Sequence, residues 1–258
     1  MNYVPNSFMG YELFSGNLNS IPYSSKTVIN TINQYSFCVA ERDEEFKKAL
    51  KSSDILLPDG VGIVVAVKSV TGGNLKKISG TELHENLLTR LNDKQGRCFY
   101  LGSNKNTLNK IKQRLANQYP NITCETFSPP YKAQFSDAEN NEMIEAVNAF
   151  KPDVLFVGMT APKQEKWVAA HKTDIDAKII CSIGAVFDFY AGTIERPSAF
   201  WINLGLEWFA RLCKEPQRMW KRYIYYGPIF AWALVKEKLM TDLNEMPLLY
   251  SKHHSSHA

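Results

Sequence analysis

Groups able to bind and process a polar ligand recur in this chain at one kind of place, just after short apolar runs. Asp59 and Gly60 follow DILLP, Thr31 and Asn33 straddle the end of TVINTI, and Gly102 and Ser103 follow CFYL. Lys163, Gln164 and Glu165 come shortly after VLFVG, Gly184 closes KIICSI, and Asp188 follows it. A carboxylate set among amides, with glycines that let backbone approach a ligand, suits holding a nucleotide diphosphate while the carboxylate takes a proton from an attacking hydroxyl. No GxGxxG follows the first apolar run and no Walker loop occurs, which weakens dinucleotide-dehydrogenase and NTPase readings. The one Asp-x-Asp, Asp174-Ile175-Asp176, precedes an apolar run and belongs at the opposite edge, so a metal-bound nucleotide-sugar site there is not expected.

These residues can meet only if the runs are strands of one sheet. Val154 to Val157 is continuously apolar, as in a strand buried on both faces of a parallel sheet. Thr27–Ile32, Asp54–Leu57, Cys98–Leu101, Ile122–Phe127 and Lys178–Ile183 read as further strands. Between them come helical stretches. Ser36 to Lys51 is expected as one helix and Thr81–Leu91 and Thr107–Gln118 as others, while Ser136 caps a fourth with Glu139 completing the box. After VLFVG, Thr160 is placed to cap a helix with Pro162 in its first turn, leaving Lys163, Gln164 and Glu165 at an anion-binding N-terminus. Strand and helix alternate about six times, giving an α/β class with a Rossmann-like, mostly parallel, doubly wound sheet. Its ligands are expected past the carboxyl ends of the strands.

Composition sets the frame. The chain has 258 residues, 45% hydrophobic and 22% charged, enough for a full core. Its five cysteines are widely spaced without a metal-type pair, which points to a reduced cytosolic setting. No signal-like start and no apolar stretch of about 20 residues is present. Of the 30 Lys and Arg and 26 Asp and Glu, nine and five fall in 196–258, so the whole +4 excess lies there. The chain therefore divides into a catalytic domain, 1–195, and a basic, aromatic-rich helical appendage, 196–258. In the appendage, 199–213 is read as one amphipathic helix, and Tyr223–Val235 is rich in residues that favour a membrane boundary. Nucleic acid is not expected as a partner of a body that is itself neutral. The His253, His254 and His257 end reads as a frayed tail.

Five blocks carry a resemblance. TINQYSFCVAERDEEFKKALKSSDILLPDGVGIVVAVK, FYLGS, KPDVLFVGMTAPKQEKW, SIGAVFDFYAGTIERP and LGLEWFARLCKEPQRMWKRY, in that order over roughly 25–225, resemble the WecG/TagA/CpsF family of bacterial glycosyltransferases. The resemblance implies a metal-independent, inverting enzyme without a cofactor. Such an enzyme moves a sugar from a UDP-sugar to a polyprenyl-diphosphate-linked sugar, peripherally attached to the inner, cytoplasmic face of the bacterial membrane. Residue by residue it implies Asp59 of PDG as general base, Thr31 and Asn33 as a Thr-x-Asn motif, and Gln164 as the glutamine of PKQE. It further implies an appendage that closes basic residues over the site, with Arg211, Arg218 and Arg222 as the candidates for the diphosphate. The segment KISGTELHENLL departs from the family's usual pattern and bears on which sugars are used. A homo-oligomer is left open. The other classes weighed are a nucleotide-dependent oxidoreductase and a non-catalytic membrane scaffold.

Overall fold

The structure, a computed structural model, describes residues 6–23 and 25–253. His254 and His257 of the tail lie outside them.

A hairpin of β1 (Asn6–Phe8) and β2 (Tyr11–Leu13), which sequence reading passed over, precedes the main sheet. Then come β3 (Thr27–Ile32), α1 (Gln34–Ala40), α2 (Glu44–Lys51), β4 (Ile55–Pro58), α3 (Val61–Thr71) and α4 (Gly80–Asp93). β5 (Arg97–Gly102), α5 (Lys105–Gln118), β6 (Thr123–Phe127), α6 (Asp137–Phe150), β7 (Val154–Gly158), α7 (Lys163–His171), β8 (Ile179–Ser182) and α8 (Gly184–Ala191) complete the alternation. The six strands from β3 to β8 form one parallel sheet in the order β4-β3-β8-β7-β5-β6. All six carboxyl ends therefore open on one edge.

The apolar run that suggested a two-sided strand has that cause. Val154 and Phe156 of β7 point into the layer built with α4, α5 and α8, and Leu155 and Val157 point into the opposite layer with α6 and α7. Helices thus cover both faces, as a doubly wound sheet requires.

Three expectations are corrected. The single helix expected over Ser36–Lys51 is two. Asn33 caps α1 through a capping box with Ser36, and Asp43 Oδ1 accepts the Phe46 N–H to start α2, so Asp43 is a cap and not part of a charged face. The single helix expected over 199–213 is also two, α9 (Ala199–Asn203) and α10 (Glu207–Lys214). They are separated at Gly205, whose φ of +71° belongs to the left-handed region. Finally, Thr160 does not cap α7. It has φ +70°, the helix starts only at Lys163, and Gln164 N–H donates to the Thr160 carbonyl, so the N-terminus is less open than expected.

Beyond α10 lie α11 (Pro216–Trp220), a π-helical turn (Lys221–Tyr225) and α12 (Tyr226–His253). Gly227-Pro228 does not interrupt α12, which follows the π-helical turn directly. Tyr226 and Phe230 are buried in one cluster with Ile32, Phe37, Leu56 and Ile63, so the base of α12 is seated on α1 and α3. Among the described residues no helix is long and apolar enough to cross a membrane.

Candidate active site

The edge where the strands end is a cavity of about 1620 Å³. Thr31, Asn33, Asp59, Gly60, Gly102 and Gly184 line it, with Lys163, Gln164 and Glu165 from α7 and Arg211, Arg218 and Arg222 from beyond residue 196. Every residue singled out from the sequence is thus on one wall or another of the same space.

Register explains the first group. Thr31 pairs with Leu57 and Ile32 with Pro58, so Asn33 and Asp59 emerge side by side from β3 and β4. Asn33 spends its Oδ1 on the N–H groups of Tyr35 and Ser36, which leaves its Nδ2 as the group able to meet a ligand. Asp59 donates its backbone N–H to the Ile32 carbonyl at 2.8 Å. Among the described residues its carboxylate makes no hydrogen bond or ion pair. Burial pushes that carboxyl up to about 6, Glu207 nearby adds to the rise, and Lys77, Arg211 and Arg196 oppose it. A carboxylate with a free lone pair and an affinity for protons near neutrality is what a general base needs.

The middle of the edge is held tightly. Gly102 has φ +116°, and a Cβ there would meet the Gly158 carbonyl oxygen at 2.3 Å, so only glycine lets β5 and β7 close, with Ser103 N–H bonded to that carbonyl at 2.9 Å. Gln164 is buried, and its Oε1 accepts from Met159 N–H and Gly184 N–H, both at 3.2 Å. Its Nε2 donates to Glu165 Oε1 at 2.9 Å. Gln164 therefore clasps the loops that follow β7 and β8. Burial pushes the Glu165 carboxyl up to about 7, and its buried Oε2 has no partner among the described residues. Lys163 turns away from the sheet edge, its ammonium donating to the Lys132 carbonyl and lying 3.6 Å from the centre of the Phe135 ring.

The wall from α9 onward is cationic. Arg222 stacks 4.7 Å from the Tyr35 ring, Arg211 lies 5.3 Å from the Phe189 ring with its buried Nε unpartnered among the described residues, and Arg218 is bonded to Glu215 at 3.0 Å. Burial lowers the pKa of Arg222.

Sequence reading missed two parts of this wall. Lys77 and Arg196 flank Glu207 at 3.4 and 3.7 Å and bracket Asp59 electrostatically. The 128–135 segment covers the β5 and β6 side. Its Pro129-Pro130 pair was a visible signal for an irregular segment just past a strand, whereas nothing local marked Lys77.

A family model described as the glycosyl transferase WecG/TagA/CpsF family matches residues 14–244. The chain is 29% identical over 211 residues to an N-acetylglucosaminyldiphosphoundecaprenol N-acetyl-beta-D-mannosaminyltransferase of Bacillus subtilis (strain 168), covering 82% of this chain and 80% of that one. Proteins of the same name from Bacillus spizizenii (27%, covering 77% and 75%) and Staphylococcus aureus strain MW2 (26%, covering 81% and 80%) are also similar.

Proposed function

Since the chain belongs to the WecG/TagA/CpsF family and is a glycosyltransferase, we propose that it moves N-acetylmannosamine from a UDP-sugar to N-acetylglucosamine linked through diphosphate to a polyprenyl chain. Membership sets aside the oxidoreductase and scaffold readings. The choice of sugars follows the names of the relatives. The observation that carries the reaction is Asp59: a carboxylate at the strand edge, unpaired among the described residues, beside Asn33 and facing a bank of cations.

In this reading the nucleoside of the donor lies along the Gly102 and Gly184 tips and its diphosphate reaches toward Lys77, Arg196, Arg211 and Arg222. Asp59 takes the proton of the acceptor hydroxyl as that oxygen attacks the anomeric carbon from the face opposite the UDP. The carbon–oxygen bond to UDP breaks in the same step, inverting the configuration. The beta linkage in the relatives' names is what one displacement of an alpha-linked donor produces. Charge growing on the leaving diphosphate is met by guanidinium groups, whose planar forks suit phosphate oxygens, so the reaction proceeds without a metal. Thr31 and the Asn33 amide orient the reacting sugars, and Gln164 with Glu165 fixes the loops that shape the floor. The domain division falls at about residue 196, with the later helices supplying the cations. Exposed Trp220, Tyr225 and Trp232, together with the basic excess, support peripheral attachment to the inner membrane face.

The test is a panel of UDP-sugars with a short-chain polyprenyl-diphosphate-N-acetylglucosamine acceptor, with and without EDTA. UDP release with one donor, insensitive to EDTA and giving a beta-linked product, is expected. Release that needs a divalent cation, or an alpha-linked product, defeats the mechanism.

A further inference from the structure

The acceptor in the reading above has three parts in a fixed order: a sugar, a diphosphate and an apolar chain. The cavity accounts for the first two, and the surface beside Asp59 offers a place for the third. Gly60, one residue after Asp59, is the N-cap of helix α3, whose first two turns are apolar all round. Ile63, Ala66 and Val67 are buried, yet Val61 and Val65, one turn apart on the outer side, are 42% and 54% exposed. The outer face of α3 is apolar at Val61 and Val65, next to the cavity, and turns polar only at Lys68 and Ser69, so the two valines are exposed without being needed by the core.

Val61 also joins two surfaces. It lines the cavity, and its Cγ2 lies 3.5 Å from where a Cβ on Gly205 would sit, so the bend between α9 and α10 comes down beside it. Phe200 and Leu204 on that bend are 65% and 56% exposed. Lys77, Arg196 and Arg211 line the same cavity and act on Asp59, two residues before Val61. Exposed apolar side chains on α3 and on the bend that meets it at Val61, beside a cavity whose cations act on Asp59, suit a polyprenyl diphosphate, which joins an apolar chain to a charged group.

We propose that Val61, Val65, Leu204 and Phe200 form a track for the first isoprene units of the acceptor, next to the diphosphate. The inference rests on the glycosyl-transfer reading and adds to it the residues that select for the lipid. It makes these residues part of substrate recognition, distinct from the outward-facing Trp220, Tyr225 and Trp232.

The experiment uses the full chain in detergent micelles, so that membrane attachment plays no part. Two acceptors carry the same sugar diphosphate, one on a long polyprenyl chain and one on a short water-soluble alkyl chain. In Val65→Glu, KM for the long-chain acceptor should rise roughly tenfold while kcat/KM for the short one stays within about twofold. Val65→Leu should restore the long-chain KM, and Leu204→Ser on the facing side should reproduce the defect. An equal loss on both acceptors, or an unchanged long-chain KM, overturns the track. Loss of binding to anionic vesicles with an unchanged KM in micelles also overturns it and makes these residues a membrane surface. If the wild-type chain uses neither acceptor, the glycosyl-transfer reading itself has failed. Transfer by the wild type with no response in the variants refutes the track alone.

Discussion

The floor and the cover of the cavity are built by opposite rules. The floor, at the tips of β3, β4, β5, β7 and β8, consists of glycines in crowded or left-handed positions and amides tied into the protein's own hydrogen bonds, with the Asn33 Nδ2 left over for a ligand. Gly102 abuts Gly158, Gln164 is held on three sides, and Asn33 is tied to α1. The cover, from α9 to α12, is held mainly by Tyr226 and Phe230, and it presents guanidinium groups over aromatic rings. In the proposed reaction the floor's role is to fix the angle between the hydroxyl and the anomeric carbon. The role proposed for the cationic cover is to answer charge that exists only once the diphosphate is present.

The sharpest way to break this comparison is at Asp59. Asp59→Asn should reduce turnover by about 10³-fold, the scale of a lost general base, while thermal stability and UDP binding remain near wild type. In the wild type, kcat/KM should fall on the acid side with a midpoint at about 6, since the base works only when ionised. An acid limb well below that midpoint, or turnover retained in the variant, takes the proton-acceptor role away from this residue.

Next comes the seat of the cover. Phe230 is buried against Phe37, their ring centres 5.4 Å apart, and Phe230→Ala should destabilise the protein by about 3 kcal/mol. Deleting everything from residue 196 would uncover the same cluster, so that deletion confounds lost cations with lost core. Point changes separate them. Arg211→Ala and Arg222→Ala should each lower kcat by about 10²-fold with little change in melting temperature. Arg218→Ala should cost about tenfold at most, because Glu215 already neutralises part of its charge. Equal effects from all three would mean that the cover acts as a diffuse field without directed contacts.

The same contrast decides what could be read from the sequence. Strand tips were legible because a strand buried on both faces announces itself as an apolar run, and the next polar residue must then lie on the edge, as Asp59 and Asn33 do. The family resemblance supplied their roles, which periodicity alone did not. Helix breaks in the cover and in α1–α2 were not legible, because they depend on one backbone angle at Gly205 and one side-chain cap at Asp43. Lys77 and Arg196 were missed for a related reason: their meeting around Glu207 joins segments 130 and 11 positions away, and no local pattern records it. Nor did the sequence show that Gln164 turns inward. Its polarity suggested a ligand, and the structure spends that polarity on two backbone N–H groups and Glu165.

That inward turn gives a last expected effect, on stability, and one whose sign is fixed. Glu165 is buried, with its carboxyl raised from the ordinary 4.5 to about 7. Below pH 4.5 it is neutral whether the chain is folded or not. Between 4.5 and 7 the unfolded chain gives up the proton and the folded one keeps it, so stability falls as pH rises and levels off above 7. Glu165→Gln keeps an oxygen for the Gln164 amide but never ionises. The variant should therefore be more stable than wild type by about 1–3 kcal/mol at pH 8, with the gap closing at pH 4.5. Urea melts of both proteins at the two pH values measure this, and other titrating groups cancel in the difference. If the gap does not depend on pH, the Glu165 carboxylate is solvated, and the floor is then as open to water as the cover.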